Sequence, residues 1–349
     1  MTPSELEPAN HLLGAPEALR AQLDEDGFVF LRGLVPWEAV LVVRRAILEC
    51  CRAGGWLVEG AELMESVADP ARACVEPEPA FLAVYREIQQ REAFHALAHD
   101  PVLLDLAERL LGEPALPHPN KIARLSFPGN VQHTTPPHQD FPFIQGSART
   151  YTMWIPLGDV PRALGGLQVN RGSHRSGVYS HHIAMGAGGM AIRPADLPDA
   201  WHTTDYRTGD VLVFHSHMVH RALPNRSPDR LRLSVDFRYQ ARSEPVSEKN
   251  LHPHTGALTW EEVYRGWTRS DLQYYWRRPD VTVTGYDTGY FAHRDQEALE
   301  AAERGDPVAR PALLRMAQRD PDPVKREHAA RVLADLERRL AGEPARNRP

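Results

Sequence analysis

His138-Gln139-Asp140 sets an imidazole and a carboxylate two residues apart, and His220 supplies a second imidazole about eighty residues later, after an apolar run. Three such ligands can take one face of an octahedral metal and leave the opposite face open. This is the 2-His-1-carboxylate arrangement suited to Fe(II) and O2. In extended backbone, residues i and i+2 point to the same side, so His138 and Asp140 would enter one cavity together. Pro136-Pro137 favours that geometry, because a residue before proline is pushed away from the helical region. Taken alone, the His-x-Asp pair could equally be an incidental surface loop.

The downstream block supports the metal reading. A Gly209-Asp210 turn opens the apolar run Val211–Phe214, and His215, His217 and His220 follow. If the run stays extended, His215 and His217 face one way and His220 the other. His220 is then the ligand that closes the strand at a barrel mouth, with His215 and His217 in supporting roles. Arg232 begins the next run, Arg232–Tyr239. A guanidinium fork binds a carboxylate through two parallel hydrogen bonds, which suits a dicarboxylic cosubstrate. Arg230 and Arg221 compete for that role, and a surface ion pair is the ordinary alternative.

The elements around these residues change character along the chain. Ala18–Asp24 reads as a short helix, residues 27–31 as an apolar strand, and Pro36 opens a helix reaching about Cys51. Residues 52–78 read as irregular. Phe81 to Leu111 carries helical periodicity, interrupted near Pro101 and ended by Gly112. From about residue 118 short strands alternate with turns: Lys121–Phe127, Tyr151–Leu157, Leu167–Val169, Val211–Phe214 and Leu233–Tyr239. That succession predicts a jelly roll or related barrel. Val178 to Gly209 reads as one long binding or lid loop. An aromatic stretch over 250–293 is expected to pack on the barrel. Pro311–Leu340 reads as a HEAT-like helical pair, used as a docked tail or an oligomer contact, with a disordered end after Gly342.

Composition narrows the class. The chain has 349 residues, 42% of them apolar, which suffices for one large domain or a domain plus an appendage. Lys+Arg 40 against Asp+Glu 46 gives a formal net charge of −6 without a basic block, which argues against nucleic acid as a partner and shows no cluster for a coenzyme A pocket. Only Lys121, Lys249 and Lys325 are lysines; with abundant Ala, Pro and Gly this matches the coding bias of a GC-rich bacterium. Three cysteines without a CxxC argue against a disulfide framework or thiolate zinc site. The start lacks a signal-peptide pattern and no apolar run approaches eighteen residues, so a cytoplasmic protein without membrane attachment is expected.

The chain resembles the phytanoyl-CoA dioxygenase family of Fe(II)/2-oxoglutarate oxygenases over about residues 25 to 240. Five ordered blocks carry the likeness: Asp26–Pro36, His138-Gln139-Asp140, Met153–Leu157, Gly165–His174, and Gly209 to His220 with Asn225 and Ser227. The resemblance implies a mainly β fold with flanking helices: a double-stranded β-helix (jelly-roll, cupin-like) core, a helical N-terminal part and a helical C-terminal tail. Together with the reading along the chain, this gives an expected oxygenase domain over 1–245 with its core at about 118–240, an aromatic extension over 246–310 and a short helical tail over 311–349. The resemblance implies iron at His138, Asp140 and His220, and 2-oxoglutarate at Arg232 with Trp154 in the same pocket, where a plain core role for Trp154 is the alternative. The family's arginine falls about eleven residues beyond the distal histidine. Here Arg230 sits at ten and Arg232 at twelve, and the register of the following strand favours Arg232. Lys121 is a further cosubstrate candidate, and Phe141 and Phe143 either line the substrate pocket or fill the barrel end.

The implied activity uses O2 and 2-oxoglutarate to oxidise a small molecule, releasing succinate and CO2. Related halogenases replace the carboxylate with a small residue, so Asp140 points to hydroxylation or another dioxygenase outcome. A small molecule of bacterial secondary metabolism is the expected substrate. The competing classes are a cupin-like metal protein with non-oxidative chemistry, which leaves Arg232 unexplained, and a non-catalytic binding protein, which would not hold stoichiometric iron.

Overall fold

The computed structural model describes residues 2–186 and 188–342. After a two-residue strand β1 (Ser4–Glu5), proline at the first turn and glycine beyond the end frame the helix α1 (Pro16–Asp26), which stops at Gly27 with φ +82°. A side chain at Gly27 would run into His174 and Met218, so this tight junction requires glycine. Then come β2 (Phe28–Leu31) and α2 (Trp37–Ala53). The predicted helical region up to Leu111 is three helices: α3 (Pro79–Gln89), α4 (Glu92–Leu97) and α5 (Pro101–Leu111). The last break falls where Asp100 caps the Val102 N–H and Pro101 takes the first helical position.

The β part runs through β3 (Ala115–Pro117), β4 (Ile122–Ser126), the single-turn helix α6 (Phe141–Ile144), β5 (Thr150–Pro156) and β6 (Leu167–Asn170). It continues through β7 (His182–Ile183), β8 (Met190–Ala191), β9 (Trp201–Thr203), β10 (Val211–His215), β11 (His220–Ala222) and β12 (Arg232–Ala241). One antiparallel sheet has the order β2-β10-β5-β12-β3, with β4 also paired to β12; a second has the order β1-β9-β6-β11. The stretch 178–209, expected as one loop, contributes β7, β8 and β9, and β9 is an integral strand of the second sheet. Two- and three-residue strands show no periodicity of their own; their neighbours' hydrogen bonds define them.

Alternation sorts the larger sheet into two faces. Val29, Val213, Met153, Ile155, Val235 and Phe237 point outward into the core shared with α1–α5. Phe28, Phe30, Trp154, Leu212 and Phe214 point inward against Val169 and Tyr206 of the other side. The result is a double-stranded β-helix with an apolar floor and helices on the outer face of one sheet. Along β12 every residue is buried; Leu233, Val235, Phe237 and Tyr239 join the outer core, and the alternate set Arg232, Ser234, Asp236, Arg238 and Gln240 faces inward.

The aromatic stretch, including α7 (Trp260–Val263), packs Trp260, Tyr264 and Trp276 on Leu116 and Val246, and Trp267 donates to the Gln90 carbonyl at 2.9 Å. At the C-terminus the two expected helices are α9 (Arg310–Arg319) and α10 (Pro323–Leu340). They join α8 (Ala292–Glu303) in a three-helix group with its own apolar cluster around Leu313, Met316, Leu333 and Leu336. This group docks through the Arg319–Glu76 ion pair at 2.6 Å and through Gly189, whose φ of +64° and closeness to the Ala312 backbone leave no room for a side chain. The end expected to be disordered, residues 343–349, lies outside the described residues. Cys50, Cys51 and Cys74 are free and buried. Among the described residues no helix is long and apolar enough to cross a membrane.

Candidate active site

His138 and His220 are tied by their backbones. Each N–H donates to the other's carbonyl at 3.0 Å in an antiparallel bridge, which joins the His-x-Asp segment to the start of β11. His220 therefore does not close the preceding strand, as the extended reading had it. β10 ends at His215, a turn follows in which the Met218 N–H donates to the His215 carbonyl at 2.8 Å, and His220 opens a strand of the opposite sheet. The chain crosses between sheets in those few residues, and that crossing delivers the imidazole to the interior.

Both imidazoles are fixed in one orientation. His138 Nδ1 lies 2.9 Å from the Pro136 carbonyl and His220 Nδ1 lies 3.0 Å from the Met218 carbonyl. A carbonyl only accepts, so each Nδ1 carries the proton and each Nε2 keeps a lone pair. Those Nε2 atoms lie 3.9 and 3.8 Å from Asp140 Oδ1. Asp140 Oδ2 is occupied otherwise: it accepts from the Thr152 hydroxyl at 2.8 Å and from Arg238 Nε and Nη2 at 3.2 and 3.0 Å. The three donor atoms all fall within 4.8 Å of one another. Burial, with His220 next to it, pushes the His138 imidazole down to about 3, and burial also lowers His220. For Asp140, burial works upward, but Arg238 and the two imidazoles outweigh it and hold the carboxyl well below its usual range. Two neutral imidazoles and one ionised carboxylate, converging with their other atoms satisfied, fit a divalent transition metal.

Gln139, between the ligands, points away. Its amide donates to the Gly177 and His217 carbonyls at 2.7 and 2.6 Å and accepts the Tyr179 N–H at 2.9 Å. It clamps the segment that follows β6, a role its sequence context did not suggest. Arg238 was also missed, although the strict polar–apolar alternation of β12 was its signal.

Among the arginine candidates, Arg230 is half-buried at the surface and paired with Glu65 and Asp229. Arg221 bonds Gln168 at 2.7 Å and stacks on Trp201. Arg232 is buried, donates to Ser234 Oγ at 2.7 Å, and has an Nε without a partner among the described residues. It lines an inner cavity with Ser126, Arg124 and Thr135. Arg124 and Thr135 also line a larger cavity of about 420 Å³ that includes His138 and Asp140. The unpartnered Arg232 Nε thus lies by a cavity that adjoins the ligand cage.

Trp154 sits on the barrel floor, opposite Asp236 in register and 4.7 Å from the Tyr206 ring. Lys121 lies apart from the cage; its ammonium donates to Tyr275 at 3.1 Å and to the His118 carbonyl at 3.2 Å, and burial pushes it down to about 7. His215 and His217 lie by Tyr151, His174 and Phe141. Phe143 lines the larger cavity with its ring 6.3 Å from that of His138, whereas Phe141 turns toward His217.

The larger cavity overturns the expectation that basic residues do not cluster. Six cationic side chains (Arg124, Arg238, Lys249, Arg315, Arg319 and Arg326) line it, against Glu76, Asp140 and Asp320. They come from β4, β12, the segment after β12, α9 and α10, and no stretch of sequence shows them together.

Comparison with known proteins gives the family. The sequence model of the Phytanoyl-CoA dioxygenase (PhyH) family matches residues 23–233. The 1-deoxypentalenic acid 11-beta-hydroxylase of Streptomyces arenae is 30% identical over 255 residues, 69% of this chain and 87% of that protein. The enzyme of the same name from Streptomyces exfoliatus is 31% identical over 257 residues, with the same shares covered. Among solved structures, the epimerase SnoN in complex with Fe3+, alpha ketoglutarate and nogalamycin RO is 24% identical, covers 68% of this chain and 87% of its own, and has a TM-score of 0.48. That last likeness is too distant to carry chemistry across. The family match spans both ligand segments, and the chain belongs to the phytanoyl-CoA dioxygenase family of Fe(II)- and 2-oxoglutarate-dependent oxygenases.

Proposed function

We propose that His138 Nε2, Asp140 Oδ1 and His220 Nε2 hold the iron, that Arg232 with Ser234 anchors the distal carboxylate of 2-oxoglutarate, and that the enzyme hydroxylates a C–H bond of a small organic molecule in the larger cavity. The observation that carries this reading is the convergence of three buried donors whose remaining polar atoms are already bonded. When bound, iron with 2-oxoglutarate and O2 supplies the oxidising power; substrate R–H, 2-oxoglutarate and O2 become R–OH, succinate and CO2.

The chain's own part is placement. Thr152 and Arg238 hold one oxygen of Asp140 so that the other faces the imidazoles. Arg232 has an unpartnered Nε beside a cavity that shares Arg124 and Thr135 with the ligand cage, which suits a short dicarboxylate spanning the two. Trp154 would then close the apolar floor beneath it, while the contacts of Lys121 support no cosubstrate role. Phe143 presents an apolar wall to the substrate. Asp140 keeps the position that a halide would need, which favours hydroxylation. The naming of two relatives as hydroxylases supports the same outcome. A product of bacterial secondary metabolism remains the substrate class we favour. Free, buried cysteines and a ferrous cofactor suit the reducing cytoplasm.

The test is succinate release. Protein loaded anaerobically with Fe(II) and then given 2-oxoglutarate and O2 is expected to form succinate, and His138→Ala or Asp140→Ala to abolish it. Turnover that survived either change would remove these residues from the metal site.

A further inference from the structure

The cavity beside the ligand cage has more positive charge than its acids can balance. Arg238 is paired with Asp140, Arg319 with Glu76 and Arg124 with Asp236. Arg326 donates to the Asp320 and Pro321 carbonyls at 2.7 and 3.0 Å, where it secures the turn into α10. Two cations are left over. Lys249 bonds the Tyr286 hydroxyl at 2.6 Å and has no carboxylate partner among the described residues. Arg315 of α9 has neither a hydrogen bond nor an ion pair among the described residues; its guanidinium lies 4.8 Å above the Phe143 ring.

A half-buried guanidinium without a counter-charge is costly to hold. Burial and the neighbouring guanidinium groups both disfavour the charged forms here. Burial, then Arg319 and Arg294, push Arg315 down to about 9, and burial, then Arg315 and Arg319, lower Lys249. The same cavity also presents apolar side chains, Ile122, Phe143 and Ile144. A ligand that satisfied both kinds of lining would have an apolar body and one anionic end.

We propose that Arg315 and Lys249 form an anion-binding subsite, and that the substrate carries a carboxylate or phosphate there. This rests on the reading of the larger cavity as the substrate pocket. Arg315 can meet such a group bidentately and Lys249 as a point charge. The Phe143 ring lies 4.8 Å from the Arg315 guanidinium and 6.3 Å from the His138 ring, so the anion subsite and the ligand cage open on one cavity. Arg315 lies outside residues 23–233, so the C-terminal helices, beyond the family's matched part, supply a determinant of specificity.

The test uses the enzyme loaded with Fe(II) and saturating 2-oxoglutarate, kept free of O2, and titrated calorimetrically with decanoate, decyl phosphate and decanamide. At least one of the two anions is expected to bind about tenfold or more tighter than the amide, the weight of one charge-assisted hydrogen bond. The preferred anion identifies the group. Arg315→Gln is expected to erase the preference and Arg315→Lys to keep part of it, both with 2-oxoglutarate binding unchanged. The proposal fails if neither anion binds more tightly than decanamide, or if the preference survives Arg315→Gln. Failure of the oxygenase reading would show separately, as 2-oxoglutarate binding that does not depend on Fe(II).

Discussion

The ligand cage and the cationic rim of the cavity lie side by side and are built on opposite principles. In the cage every polar atom that does not face the metal position is bonded: both Nδ1 atoms, both backbones, and one oxygen of Asp140. At the rim, Arg315 stacks on the Phe143 ring and has no hydrogen bond or ion pair among the described residues. The cage is fixed in advance because iron chemistry is the same for every substrate. The rim keeps unspent charge because recognition has to wait for a ligand. The cage comes from the β-helix shared by the family, and the rim is completed by helices appended after it.

The contrast can be tested from the cage outward. His220→Ala, the most severe change, is expected to bring iron content and succinate formation to background, read by metal analysis and product assay. Arg238→Met should be next: it leaves Asp140 buried without its ion partner, at about 3–5 kcal/mol, measured by chemical denaturation. If the loss were instead negligible, the Arg238–Asp140 pair would not be what stabilises the cage. Arg232→Gln should spare folding and iron while raising the KM for 2-oxoglutarate about ten- to a hundredfold. The smallest effect concerns the seat of the C-terminal helices. For Glu76 burial works upward, but Arg319 and His254 outweigh it and hold its carboxyl well below the usual range. A depressed carboxyl contributes stability above its unfolded pKa of about 4.3 and loses it as the pH falls toward the folded value. Wild type should therefore exceed Glu76→Gln by about 1–2 kcal/mol at pH 7. The gap should close steadily in acid below about pH 4, followed by the thermal midpoint of each protein. A gap independent of pH would assign the effect to packing.

Sequence reading reached the cage because its signals are local. His138 and Asp140 are two residues apart, and the blocks around His220 and Arg232 keep family spacing. It misjudged His220's strand because the crossing between sheets is a matter of four residues, Ser216 to Val219, that extended periodicity runs straight through. Arg238 was within reach: the alternation from Arg232 to Ala241 marks a strand with one polar side, but a polar side is ordinarily taken as the solvent side. In a β-helix that side faces inward. The cationic rim could not be read at all, since Arg124 and Arg315 are far apart in sequence and meet only through tertiary docking. The same holds for β9, whose three residues become a strand only beside β6 and β1.

The reciprocal bridge between His138 and His220 has a consequence for how metal enters. Main-chain amides set the spacing of the two imidazoles, so their ordering entropy is met when the β-helix folds and need not be drawn from coordination energy. Stripping the metal is then expected to leave the β-helix folded, its melting temperature lowered only by the lost binding free energy, in contrast to small zinc domains that unfold on chelation. With His138 and His220 as the proposed ligands, the iron would enter a socket that folding has already finished.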